Sequence, residues 1–270
     1  MKVAPKIPEI GVFVPVGDVV TADPAWMANF AGHLELCGVE SIIVAEHTVL
    51  ASSYDSVYPY DSSGRVGVAA DGPIPDPLAK RAATVDVLSG GRLRLCVGAG
   101  WLKEEVEACG VEFDNRGRRA DEQITVLRAL WDDQPQGASY HGNFFNFDKA
   151  MSYPKQIAGE RLPIHIGGHS RTAARRAGRF GDGFRPLGVS GPQLASLITL
   201  MRAEASTAGR DPAAPEVLLG HLVTKIDAER AAGLVDQGAD RIVLAVPPTS
   251  DIEQAKDILS ACAQRLSLAS

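Results

Sequence analysis

The chain has 270 residues, 45% of them hydrophobic, and a formal net charge of −6 at pH 7. That length suits a single α/β domain over residues 1–270, and an acidic balance without a long basic run argues against nucleic acid and anionic membranes as partners. No apolar run reaches membrane-spanning length and prolines interrupt the opening MKVAPKIPEIGVFVPV, so a soluble, cytoplasmic protein without a signal peptide is expected.

In chain order, Glu9–Val16 reads as a strand apolar on both faces, as in a parallel sheet covered by helices. Asp23 caps a helix with Pro24 in its first position and Gly38 just past its end, and Ser41–Ala45 is a second strand. From His47 to Gly91 no strand follows. That stretch holds only a helix, Leu78–Leu88, stopped by Gly90 and Gly91. Arg92–Val97 is the next strand, ending in Gly98-Ala99-Gly100. A helix over Gly117–Trp131 carries Ile124, Leu127, Leu130 and Trp131 on one face. The aromatic insertion YHGNFFNFDKAMSY, between Pro135 and Tyr153, reads as a hairpin-like flap.

Leu162–Ile166 is a strand running through Gly167-Gly168 into a helix over Arg171–Phe180, and Gly183–Pro186 is a short strand. Ser190 with Gln193, and Ser250 with Glu253, have the spacing of capping boxes for the helices that follow them. Between those helices lie a strand at Val217–Ile226, a helix capped by Asp227, and a last strand at Arg241–Val246. The alternation implies βαβ units, a parallel sheet of seven strands, and a barrel rather than an open dinucleotide sheet.

Three positions can carry chemistry. Glu46-His47 follows the second strand, where barrel enzymes place reacting groups, and an imidazole titrates near neutrality; a solvated loop pair would look the same. Gly98, Gly100 and Trp101 end the third strand, as either a close approach for a planar ring or a tight turn with Trp101 in the core. Glu104 and Glu105 follow, suited to the positive end of a helix. Gly167, Gly168, His169, Ser170 and Arg171 open a helix from a strand, which is a phosphate-binding arrangement or a capped glycine turn. Arg116, Arg118 and Arg119, and Arg175, Arg176 and Arg179, read as solvated faces. Cys37, Cys96, Cys109 and Cys262 read as buried inert thiols, and no His, Asp or Glu spacing points to a metal.

The blocks TVDVLSGGRLRLCVGAGWLKEEVEACGVEFDNRGRRADEQI, SYPKQ, LPIHIGGHS and RFGDGF resemble the bacterial luciferase-like oxidoreductases, and more narrowly their coenzyme F420-dependent, actinobacterial branch. The resemblance implies a TIM-barrel-like (β/α)8 fold, a homodimer, and hydride transfer between the deazaflavin F420 and a small-molecule substrate. It makes FMN the alternative cofactor, in a monooxygenase, and a non-catalytic scaffold the alternative from another class. It places an acid, Glu46, near the deazaflavin, His47 near substrate, Glu104 near the cofactor, and the cofactor phosphate at Gly167–Ser170. It also allows either arginine cluster to meet the coenzyme's polyglutamate tail. In the family PIPDPL starts a helix leading to a third strand, and LAKRAATVDVLSGG follows that strand. Here Pro77-Leu78 joins the two phrases. A helix–strand unit is therefore expected to be absent, and with it a strained cis peptide that backs the ring in relatives. The barrel is expected either to tighten to seven strands or to have its slot plugged by part of Thr48–Asp76.

Overall fold

A computed structural model of the chain describes residues 8–15, 23–44, 78–132, 135–150, 152–157 and 161–268. The elements are β1 (Glu9–Phe13), α1 (Pro24–Leu36), β2 (Ser41–Ile43), α2 (Leu78–Leu88), β3 (Leu95–Val97), α3 (Lys103–Ala108) and a 3-10 turn at Phe113–Asn115. Then come α4 (Arg116–Trp131), β4 (Ala138–His141), β5 (Asn146–Ala150), β6 (Ile164–Gly167), α5 (Arg171–Phe180), β7 (Gly183–Arg185) and α6 (Gly191–Thr207). The chain closes with β8 (Glu216–Leu222), α7 (Ala228–Asp236), β9 (Arg241–Ala245) and α8 (Ile252–Leu266). Apart from the β4–β5 hairpin, the described residues hold seven strands, all paired in parallel, so the α/β class and the strand count stand as expected. Thr48–Asp76, the expected plug, lies outside the described residues.

Two compact units divide the chain. In the first, β2, β1, β9 and β8 lie side by side, with Val12 opposite both Ile42 and Leu244. Ile10, Val12 and Val14 pack with Phe30 and Leu34 of α1 and with Leu259, Cys262 and Leu266 of α8. Two polar clasps tie these helices to the core without leaving a buried donor unmet. Trp26 Nε1 donates to the Ser250 carbonyl at 3.1 Å, and His33 Nε2 meets the Lys256 carbonyl at 3.0 Å and Ser260 Oγ at 2.9 Å. At the amino ends of the strands the buried Arg241 is shared by Glu9, Glu40 and Glu216.

In the second unit β3, β6 and β7 are parallel, with Val97 opposite Ile166 and Ile166 opposite Phe184. Ile166 and Phe184 are fully buried. Helices α5 and α6 cross so closely that a Cβ on Gly178 would lie 2.2 Å from the Met201 carbonyl oxygen, so only glycine fits there. Asp182 pins the amino ends of this sheet. Its Oδ2 accepts from the Ile164 amide at 2.8 Å and from Arg128, and Arg161 and Arg210 approach its Oδ1 at 3.5 and 3.7 Å.

Several details differ from expectation. Asp251, not Ser250, caps α8, accepting from the Glu253 and Gln254 amides at 2.9 and 3.2 Å, because an ionised carboxylate is the better acceptor and sits next to the first turn. Ser190 makes no side-chain cap on α6, where Pro192 occupies the first turn and offers no N–H. Cys96 and Cys109 are exposed, and only Cys37 and Cys262 are buried. Arg176 is not solvated: at 5% exposure it bonds Asp121 Oδ1 at 2.5 Å and the Gly117 carbonyl at 2.8 Å. Strand β8 ends at Leu222 in a turn.

Candidate functional site

Parallel pairing of β3 with β6 brings two glycine turns to one sheet edge. Val97 and Ile166 are register partners, so Gly98 and Gly167 leave the carboxyl ends of neighbouring strands together. A Cβ on Gly98 would meet open space, and one on Gly167 would meet only Cys96 Sγ at 3.7 Å and the Val97 carbonyl at 3.9 Å. Neither position is filled by protein, so a flat group can lie close to the backbone there.

The turn after β6 feeds α5. Gly168 has φ +133°, and its amide donates to the Arg185 carbonyl at 3.1 Å. That amide is therefore used by the sheet, and the cradle expected at the double glycine moves one step on, to the helix start. Ser170 caps α5, its Oγ accepting from the Ala173 amide at 3.1 Å. The amides of Arg171 and Thr172 have no intrahelical acceptor, because a helix leaves its first-turn donors unpaired. No acidic residue stands in that turn, Arg171 is exposed, and the dipole's positive end adds to its charge. The donor set fits a phosphate. His169 lies half-buried between the glycines and the cap.

On the β3 side, Gly100 has φ +84° and Trp101 is half-buried. Leu102, fully buried, is followed by Glu104, half-buried, and Glu105, 9% exposed, in the first turn of α3. Arg116 pins this loop from a distance the sequence does not reveal. Its Nε donates to the Gly100 carbonyl at 3.1 Å, its Nη1 to the Phe113 carbonyl at 2.8 Å, and its guanidinium lies 3.5 Å from the Phe113 ring centroid. Arg119 lies over Phe145 at 4.6 Å and Arg118 over Phe144 at 5.9 Å. Among the described residues none of these three guanidiniums meets a carboxylate, whereas Arg175 and Arg179 both pair with Glu204. The two arginine clusters, alike in sequence, are thus different in charge balance.

The hairpin is docked on α4 by Glu122, which accepts from the Asn143 and Phe144 amides at 2.9 Å each. Desolvation raises this carboxyl's pKa, but the amide hydrogen bonds from Phe144 and Asn143 outweigh it and hold the group below the usual carboxylate range. A depressed folded value means that docking is fully supported above the ordinary pKa and weakens as pH falls through the folded one. The protection factor of the Phe144 amide, its exchange rate relative to that of an unstructured amide at the same pH, should therefore fall on acidification below the usual carboxylate range, and Glu122→Gln should show a lower protection factor already at pH 7. Exchange unchanged in the variant would refute the clasp.

The register brings together residues that sequence reading left unconnected. Cys96, His165 and Gly183 are partners across the sheet, one face away from the buried Ile166 and Phe184, and Arg185 lies on the same face as Cys96, opposite Gly167. Desolvation of the sulfur pushes the Cys96 thiol up and the Arg185 charge only partly offsets it, although the residue as a whole is exposed, so the thiolate is disfavoured. The signal was period-two alternation in RLRLCV and GFR, which is uninformative until the helix-covered face is known. Glu46 and His47 lie outside the described residues. Among the described residues no group of acids, histidines and cysteines could hold a metal ion, and no helix is long and apolar enough to cross a membrane.

The family model described as luciferase-like monooxygenase matches residues 65–257. An FMNH(2)-dependent dimethylsulfone monooxygenase of Pseudomonas putida is 34% identical over 134 residues, covering 48% of this chain and 36% of that protein. A phthiodiolone/phenolphthiodiolone dimycocerosates ketoreductase of Mycobacterium bovis is 29% identical over 213 residues, 72% of this chain and 55% of that one. The matches thus span from about a third to just over half of these relatives' length. Among solved structures, an F420-dependent secondary alcohol dehydrogenase in complex with an F420-acetone adduct superposes with TM-score 0.70 at 18% identity, covering 97% of this chain and 99% of that one. That likeness shows a common fold.

Proposed function

Because the chain belongs to the luciferase-like monooxygenase family, we propose that it is an oxidoreductase using coenzyme F420 to move a hydride to or from a small organic substrate. The arginine cluster on α4 carries the choice of coenzyme. Arg116, Arg118 and Arg119 lie against rings and, among the described residues, meet no carboxylate, and Arg116 holds the Gly100 loop, so positive charge stands beside the glycine edge. FMN ends at one phosphate. The deazaflavin coenzyme continues into a polyglutamate tail that such a cluster would neutralise.

In this reading the amides of Arg171 and Thr172 bind the phosphate, and the open backbone at Gly98 and Gly167 receives the ring. Trp101 walls one side, and Glu104 lies beside it on α3. When bound, the deazaflavin supplies a two-electron hydride carrier that reacts poorly with oxygen. His47 and Glu46 handle the accompanying proton, and His47→Ala should lower turnover by roughly 10²–10⁴-fold while coenzyme binding is kept. The ketoreductase and the alcohol dehydrogenase among the similar proteins support a carbonyl–alcohol pair as substrate class.

The FMNH(2)-dependent relative favours a second reading, an FMN monooxygenase served by a separate reductase. Titrating the purified chain with F420 and with FMN separates them. The proposal expects saturable F420 binding that weakens with salt and exceeds FMN binding. Tighter FMN binding would move the assignment to the monooxygenase, and binding of neither would leave a scaffold.

A further inference from the structure

We propose that the tip of the β4–β5 hairpin is a switch on an oligocarboxylate site of α4, a step beyond the reading of this arginine cluster as the contact for a coenzyme tail, on which it rests. Docked, the tip holds Glu122 away from Arg118 and Arg119 and leaves both guanidiniums to a ligand. Released, it returns Glu122 to them and closes the site.

Arg118 and Arg119 stand four and three residues before Glu122 on α4, spacings at which helix side chains meet and opposite charges pair. Neither pairs with it. The turn Gly142–Phe145 encloses the Glu122 carboxylate instead. Its Oε1 accepts from the Asn143 amide at 2.9 Å and from Asn143 Nδ2 at 3.2 Å, and its Oε2 from the Phe144 amide at 2.9 Å. The Gly142 amide closes the turn by donating to the Phe145 carbonyl at 2.9 Å. A Cβ on Gly142 would collide with Glu122 Oε2 and lie 2.6 Å from Tyr140 Cε1, so the turn wraps the carboxylate only with glycine there.

The same turn brings two rings to the arginines. Arg119 is half-buried, its guanidinium over Phe145 at 4.6 Å and near Phe144 at 6.0 Å, and among the described residues it makes no hydrogen bond or ion pair. Arg118 lies over Phe144 at 5.9 Å and donates to Asn115 Oδ1. A ring face takes the flat side of a guanidinium and leaves its in-plane N–H groups directed outward, as a carboxylate requires. Two such forks on neighbouring residues suit a chain bearing successive carboxylates. The docked tip therefore removes the internal competitor and orients the cations in one movement.

γ-Linked tetraglutamate carries the carboxylates of such a tail and nothing else of the coenzyme, so isothermal titration with it reads the switch alone. The wild-type chain should bind it saturably. Gly142→Val keeps the turn off the carboxylate and should weaken binding by about tenfold, from losing the rings and regaining the competitor together. Adding Glu122→Gln to that variant removes the competitor alone and should recover about threefold of the loss. A merely structural tip predicts no such rescue. Equal binding by the wild type and Gly142→Val would overturn the proposal. So would a double variant as weak as the single one with both folded by circular dichroism, or no binding by the wild-type chain at millimolar peptide. Titrating F420 in parallel keeps the two readings apart. Coenzyme bound without tetraglutamate binding removes the switch alone, and tetraglutamate bound without coenzyme removes the coenzyme alone.

Discussion

Gly168→Val is expected to weaken coenzyme F420 binding by roughly a hundredfold or more while leaving a folded chain. Two independent obstacles meet at this residue. Its φ of +133° is a region that side-chain-bearing residues avoid, at a cost of about 1–3 kcal/mol. A Cβ would also lie 3.0 Å from the Ala173 Cβ, in the first turn of α5. Relief requires the turn to rotate or α5 to shift, and either movement displaces the Arg171 and Thr172 amides. Two charge-assisted hydrogen bonds of about 1.5–3 kcal/mol each account for the predicted loss. Fluorescence titration measures the affinity and circular dichroism checks the fold. Unchanged affinity in a folded variant would remove α5 from the binding account.

Asp182→Ala should be the more damaging change to stability, about 3 kcal/mol by urea unfolding with the m-value unchanged. The substitution strips Arg128, Arg161 and Arg210 of their shared carboxylate and leaves the Ile164 amide without its acceptor at 2.8 Å. The figure is set at the low end for a broken buried ion pair because Asp182 keeps 23% side-chain exposure and water can enter. Asp182→Asn keeps an acceptor for the amide and should recover part of the loss. If both variants unfold like the wild type, the carboxylate is not the pin of the β6–β7 edge.

How far the sequence could be read depended on whether a signal was local. Asp23 followed by Pro24 marks a helix start by chemistry confined to one turn, and Asp23 Oδ1 does accept from the Ala25 and Trp26 amides at 2.9 and 3.1 Å. Strands such as RIVLA declare themselves because both faces are apolar. The pattern S-x-x-E at Ser250 misled because Asp251, one residue later, competes for the same amides and wins. Arg176 looked solvated since nothing near it in sequence is acidic; its partner Asp121 is 55 residues away. Arg116 likewise reaches back 16 residues to Gly100. The double glycine was legible as a turn from a strand into a helix, but which of its amides the sheet would claim was not. That depended on the Arg185 carbonyl of the neighbouring strand, and it moved the free donors to Arg171 and Thr172. Among the described residues the count of seven parallel strands stands, because strand alternation is a periodic pattern that can be counted without knowing what lies across it.

A crystal structure of the chain with coenzyme F420 tests the central claim most directly. The phosphate should sit against the amides of Arg171 and Thr172, with the ring over Gly98 and Gly167 and the tail running toward Arg116–Arg119. A coenzyme bound with its phosphate away from the start of α5 would contradict the account, whatever the turnover.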